Sequence, residues 1–423
     1  MPKEITVWTR AIVTGGKYPR VVRNGILSIR DGRIAGILTA KEARGKHTLD
    51  FSDRIAIPGF VQTHIHLCQT GARGLADDLP LLDWLQDRIM PYEAALTAAS
   101  LRRSVRTGLS ELLRSGTTCI MDMGTIRHTD VIAKEMLASG IRGYFGKCLI
   151  DRNELVPSFR EETDQSLTEA RQLAQKWHGK EERLRFAWTP RFVLTCSEQL
   201  LRESHSFLRE FPETLFHTHA SESPAEMETV RRMFGMGNVD YLEKIGVLSE
   251  RSCLAHCIHL SEREIETLIR RKTRVLHCPS SNLKLASGIA DIVTLRKRGI
   301  PVSLGTDGAA CNNRIDQWEE MRLASLLAKP KHGADAMAAR EAFLLATYEG
   351  ARALGWDDSI GSLEEGKWAD AVFLDAAAFG SLREPRTDNE FYGAIVYSGR
   401  PDWVTDVMVG GGWIVRNGVL KEW

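Results

Sequence analysis

Through the middle of the chain, short apolar runs of strand length alternate with longer stretches whose apolar positions recur at helical spacing. The runs fall at 59–64, 117–122, 143–150, 184–189, 214–219, 252–256, 274–278 and 301–306. Segments between them, among them 99–115, 129–139, 162–177, 197–210 and 261–271, have helix length and polar faces. Eight strand-then-helix units predict an α/β fold. The arrangement expected is a closed parallel (β/α)8 TIM barrel over residues 59–360, with reactive groups just after the strands. An open doubly wound sheet competes with it, but no glycine-rich phosphate loop follows an early strand.

Both ends have another texture. ITVWTRAIVT, GILSIRDGRIAGIL and HTLDFSDRIAI at the start read as short strands, as do ADAVFLD, GAIVYS, VTDVMVGGGWIV and RNGVL near the end. Gly-Gly, Asp-Gly and Asn-Gly turns punctuate them. Residues 1–58 and 361–423 are therefore expected to meet in a small flanking β-sandwich. The stretch from Cys68 to Glu93 is too long for an ordinary strand-to-helix connection. Leu81, Leu82, Trp84, Leu85 and Ile89 follow helical spacing, which predicts a helix-bearing lid packed on the barrel or on a second subunit, with Trp84 turned inward. A homo-oligomer is the expected assembly.

Composition narrows the class. The 423 residues, 43% of them apolar, suffice for a large core, and 56 basic against 55 acidic side chains leave a net charge of +1. Neither nucleic acid nor a membrane surface is expected as partner; a small-molecule substrate is. The first ten residues lack the apolar stretch of a signal peptide, and no apolar run has bilayer-spanning length. Eight cysteines lie within apolar segments without a CxxC pair, which predicts buried thiols and a cytoplasmic protein.

The histidines carry the chemistry. His64 and His66 end the first barrel strand in PGFVQTHIHL, two apart and so on one face. LFHTHASES ends the fifth with His217 and His219, and Glu222 follows. LAHCIHL offers His256 and His259, and SLGTDG offers Asp307. Each group alone is as readily a hydrogen-bonded structural pair. Imidazoles and a carboxylate at four strand ends of one barrel instead share a mouth, and three His with one Asp suit zinc or another divalent first-row ion. On strand geometry alone His217 and His219 are both candidate ligands.

These motifs, with HCPSSNLKLASG, LGTDGAACNN, MRLASLL and GSLEEGKWADAVFLD, resemble the amidohydrolase superfamily over essentially the whole chain. The resemblance is to its mononuclear-metal aminohydrolases: guanine deaminases, methylthioadenosine/S-adenosylhomocysteine deaminases and triazine hydrolases. It implies one Zn2+ per chain, with Fe2+ or Mn2+ as alternatives, held by His64, His66, His219 and Asp307. It further implies Glu222 as proton shuttle, His256 as the group that polarises the attacking water, and Asp307 as acceptor of that water's proton. The spacing to Glu222 then favours His219 over His217. Binuclear members use a carboxylated lysine after the fourth strand, and LRFAWTP has none. The HxE and PCxxC site of cytidine deaminases is absent as well.

The resemblance also names substrate contacts. Gln69 and the Arg191–Phe192 pair match positions with which guanine deaminases read a purine edge; a rim salt bridge is the plain alternative for Arg191. Glu93 matches an acid that contacts ribose in adenosine-type enzymes, and Trp84 is a further contact candidate. Lys147 and Arg160 are the nearest residues to the cations that receive an amino-acid tail. The leading expectation is a deaminase of a guanine- or pterin-like base. The alternatives are a 5′-modified adenosine deaminase, a triazine-type amino- or chlorohydrolase, and an inactive scaffold barrel.

Overall fold

Four strands precede the barrel: β1 (Glu4–Val13), β2 (Val21–Arg30), β3 (Arg33–Thr39) and β4 (Leu49–Pro58). The structure, a computed structural model, describes residues 4–39, 41–42, 48–153, 156–379, 385 and 387–423; parts of both end segments lie outside these. β2 turns into β3 at Asp31 and Gly32, both at positive φ (51° and 80°), the geometry for which Asp-Gly is selected.

The barrel strands follow in order: β5 (Phe60–His66), β6 (Thr117–Thr125), β7 (Arg142–Leu149), β8 (Leu184–Pro190), β9 (Leu215–Ala220), β10 (Ser252–His256), β11 (Arg274–His277) and β12 (Val302–Leu304). All eight expected strands are present, and each pairs in parallel with the next. β5, β6 and β7 are buried at every position, as strands covered on both faces must be. The expected helices appear as Ala98–Arg114, Asp130–Ser139, Thr163–Trp177, Glu198–Ser206 and Glu262–Arg271.

Closure falls at β12, whose continuation β13 (Asp307–Gly308) pairs in parallel with Ile65 and His66 of β5. Thr63 Oγ1 lies 2.9 Å from both Ser303 Oγ and the Leu304 carbonyl across this seam. Between β12 and β13 stands Gly305, where a Cβ would come within 2.7 Å of the His64 backbone nitrogen. A side chain there would lift Asp307 away from His64 and His66.

Strands β14 (Ala371–Asp375), β15 (Val404–Val409), β16 (Gly412–Arg416) and β17 (Val419–Leu420) join the first four in a second sheet, ordered β17-β16-β15-β14-β4-β1-β2-β3. One expected strand is absent: GAIVYS lies in helix Asp388–Ser398. Thr387 caps that helix by accepting from the Glu390 amide, with Asp388 and Glu390 in its first turn. Phe391, Tyr392, Ala394, Ile395 and Val396 are buried, and the Tyr392 ring packs 5.3 Å from Phe343. Burial of apolar faces against helix Ala339–Leu345 outweighs the strand preference of a β-branched pair.

Arg142 on β7 joins the sheets through a fully buried ion pair, Nε to Asp370 Oδ2 at 3.1 Å. Among the described residues no helix is long and apolar enough to cross a membrane. All eight cysteines are buried and unpaired.

Candidate active site

Strand ends at one mouth of the barrel deliver His64 and His66 (β5), His219 (β9), His256 (β10) and Asp307 (β13). The backbone turns left-handed at three of these exits, Ser221 (φ 55°), His256 (73°) and Asp307 (60°). Such non-glycine conformations are strained and are held by the surrounding fold.

His64, His66, His219 and Asp307 bring one ligand-type atom each to within 4.8 Å of one another. His66 Nε2 and His219 Nε2 are 3.2 Å apart, and Asp307 Oδ1 is 3.2 Å from His64 Nε2 and 3.4 Å from His66 Nε2. His219 donates from Nδ1 to the Arg191 carbonyl at 2.7 Å, which leaves its Nε2 bare. His64 Nε2 is buried and turned toward Asp307 Oδ1. Burial pushes the pKa of all three imidazoles below the usual histidine value and keeps them neutral. Neutral rings whose lone pairs converge beside a carboxylate fit one divalent cation.

Glu222 follows β9 and opens helix Pro224–Phe234, where Ser223 and Glu226 form a capping box. Glu226 Oε2 accepts from the Glu222 amide at 2.6 Å and fixes its backbone. The Glu222 carboxyl is buried beside Asp307. Burial first, then the charges of Asp307 and Glu226, raise its pKa well above the ordinary carboxylate value. Oε2 lies 3.4 Å from His256 Nε2, and Oε1 has no partner.

The short helix Pro279–Lys284 after β11 supplies two contacts that residue spacing did not single out. Ser281 Oγ donates to Asp307 Oδ2 at 2.7 Å, and Asn282 Oδ1 stands 2.8 Å from His256 Nδ1. Both residues belong to HCPSSNLKLASG, so their signal was their place just after a barrel strand.

A narrow cavity of about 20 Å3 opens above these groups. Its floor is His66, His219, Glu222, His256 and Asp307; its walls are Leu81, Trp84, Leu85, Phe192, Leu285 and Arg191. Leu81, Trp84 and Leu85 come from a lid that runs helically from Leu81 to Ala94 through a π turn at Leu85–Ile89. The Trp84 Nε1 donor is buried without a partner.

Of the five expected substrate contacts, Trp84, Arg191 and Phe192 line the cavity, whereas Gln69 and Glu93 do not. Glu93 is wholly buried; one carboxylate oxygen accepts from Gln69 Nε2 (2.8 Å) and the other from Arg191 Nη1 (3.0 Å). Lys147 lies away from the cavity, where Nζ meets Glu161 at 2.7 Å, Glu169 at 3.2 Å and the Ile126 carbonyl. Arg160 is exposed and is not among the cavity-lining residues. His259 donates from Nε2 to the Ser287 carbonyl at 2.7 Å, outside the convergent group.

A closed parallel barrel whose mouth gathers four ligand-type side chains and a buried carboxyl of raised pKa is the arrangement of a metal-dependent hydrolase. The chain belongs to the amidohydrolase family, whose model matches residues 55–414, and it acts on carbon–nitrogen bonds. It is 38% identical over 405 residues to a 5′-deoxyadenosine deaminase of Methanothermobacter thermautotrophicus, covering 95% of this chain and 91% of that one. It is 34% identical to a 5-methylthioadenosine/S-adenosylhomocysteine deaminase of Moorella thermoacetica, covering 95% and 92%. An adenosine deaminase of Xanthomonas campestris, solved with bound zinc, superposes with a TM-score of 0.91 at 29% identity, covering 99% and 94%. The guanine deaminase of E. coli gives 0.90 at 25%, covering 97% and 99%.

Proposed function

We propose that this protein hydrolytically deaminates a 5′-modified adenosine, with 5′-deoxyadenosine and 5′-methylthioadenosine as the preferred substrates. The observation that carries this reading is the division of the cavity. Its reactive groups are confined to the floor, while the purine-edge readers expected for guanine, Gln69 and Arg191, are both bound to Glu93. The walls are otherwise apolar, and Trp84 Nε1 offers one free donor for a sugar or ring acceptor. Relatives named for 5′-deoxyadenosine and methylthioadenosine, at 34–38% identity, support the same choice. The guanine-like expectation has weaker support.

His64, His66, His219 and Asp307 would hold a divalent ion, zinc by likeness to the Xanthomonas enzyme, which would supply Lewis acidity and a nucleophilic water at neutral pH. Asp307 Oδ2, steadied by Ser281, accepts the proton of the attacking water. Glu222 gives its proton to the ring nitrogen beside the amino-bearing carbon. His256, oriented by Asn282, hydrogen-bonds the water oxygen as charge develops on it. As the adduct collapses, its hydroxyl proton passes to the emptied Glu222 carboxylate, Asp307 gives its proton to the amino nitrogen, the carbon–nitrogen bond breaks, and ammonia leaves the 5′-modified inosine with Glu222 protonated again.

Arg191 is the one cation among the described cavity-lining residues, and it is paired with Glu93. An uncharged 5′ substituent therefore fits better than the amino-acid tail of S-adenosylhomocysteine. The test is ammonia release by zinc-loaded protein from 5′-deoxyadenosine, methylthioadenosine, S-adenosylhomocysteine, adenosine, guanine and an aminotriazine. The expected order of kcat/KM places the first two at the head. Guanine or the triazine turned over ahead of every nucleoside overturns the reading.

A further inference from the structure

His217 stands outside the group of four and outside the proton-transfer set, yet it is wholly buried beneath them. It shares a face of β9 with His219 and packs its ring edge-on against His64, centroids 4.9 Å apart at 90°. Its Nε2 lies 2.8 Å from His64 Nδ1. One proton serves that contact, and the far side of the His64 ring decides which nitrogen bears it. His64 Nε2 faces Asp307 and must present a lone pair to any cation held there, so the ring proton sits on Nδ1. His64 then donates to His217 Nε2, and His217 carries its own proton on Nδ1.

We propose that His217 is a positioning residue that fixes the tautomer and ring orientation of His64 and thereby sets the affinity of the site for its ion. This rests on the metal reading of the four-residue group. The three histidines of that group are supported differently: His219 by the Arg191 carbonyl, His66 by no protein partner at Nδ1, and His64 by His217 alone. Carboxylates are common in such supporting positions. A neutral imidazole gives the same orientation without a second negative charge, so a divalent ion balanced by Asp307 alone keeps a net charge of +1 and its full pull on water. That accounts for histidine, rather than aspartate or glutamate, two residues before His219.

The experiment compares wild type with His217→Phe, which fills the space but accepts no hydrogen bond, and His217→Gln, whose amide oxygen restores an acceptor. Thermal melting establishes that each variant folds. Zn2+ retention against a competing chelator and the visible spectrum of the Co2+-substituted proteins then read the site directly. The expected result is a loss of ~10–100-fold in Zn2+ affinity for His217→Phe, substantial recovery in His217→Gln, and a wild-type-like Co2+ spectrum in the latter. Equal retention by folded His217→Phe and wild type overturns the inference while leaving the metal reading intact. So does loss of a nitrogen ligand from the Co2+ spectrum of His217→Gln, which makes His217 a ligand itself. A wild-type protein that takes up no divalent ion overturns both.

Discussion

Glu222 shows how burial alters an ordinary side chain. Enclosure beside Asp307 raises the pKa of its carboxyl, and its Oε1 has no hydrogen-bond partner, which suits the proposed proton transfer to a ring nitrogen. Glu222→Gln preserves shape and hydrogen bonding but has no acidic proton. Its kcat for ammonia release should fall by ~10²–10⁴-fold while Zn2+ content stays at the wild-type level; steady-state kinetics with metal analysis checks both. Such residues were legible from spacing, because HxH and HTHASE sit at strand ends where i and i+2 share a face. Ser281, Asn282 and Leu285 were not, since a helix as short as Pro279–Lys284 has too few residues for a period to betray a side chain's direction. The Gln69–Glu93–Arg191 chain was legible as residues but not as a bonded set. Which acceptor a buried guanidinium finds is decided by where the lid brings Glu93.

Helix Gln317–His332 shows what one element contributes to its neighbours. Its Glu320 is buried, accepting from Asn312 Nδ2 (2.8 Å) and the Ser280 amide (3.2 Å), and so ties the loops that carry Asp307 and Ser281. Burial, outweighing those hydrogen bonds, pushes its pKa from 4.5 up to about 8. Between these values the native state holds a proton that the unfolded chain has lost. Glu320 therefore makes stability fall as pH rises through that window and adds no slope above it. Urea unfolding of wild type and Glu320→Gln at pH 5, 6.5 and 8 should move the difference steadily in the variant's favour as pH rises. At this scale the barrel strands and the main helices were readable from apolar period. GAIVYS was misread because a run of four apolar residues satisfies a buried helix as well as a strand, and only the capping threonine upstream and the helix it packs on distinguish the two.

Across the molecule, the Arg142–Asp370 pair links a barrel strand to the segment leading into β14. Asp370 also accepts from the Gly410 amide, and Arg142 donates to the Glu182 carbonyl. Removing the cation leaves a buried carboxylate uncompensated. Arg142→Met should lower the unfolding free energy by ~3–5 kcal/mol, read as a shift in urea midpoint, whereas the Zn2+ affinity of the folded protein should be unchanged.

The sequence by itself determined the alternation of strands and helices, the coming together of strands from both chain ends in a second sheet, and the set of residues able to bind a cation and move protons. Those properties follow from local period and from residue chemistry. Tertiary structure alone decided that β13 closes on β5 and sets Asp307 against His64 and His66. It decided that Glu222 is buried with its pKa raised, that Arg191 and Gln69 are bound to Glu93, and that His217 Nε2 lies against His64 Nδ1. Each of these depends on distances between residues far apart in the chain and on the exclusion of water around them, and neither is written in the order of residues along any single element.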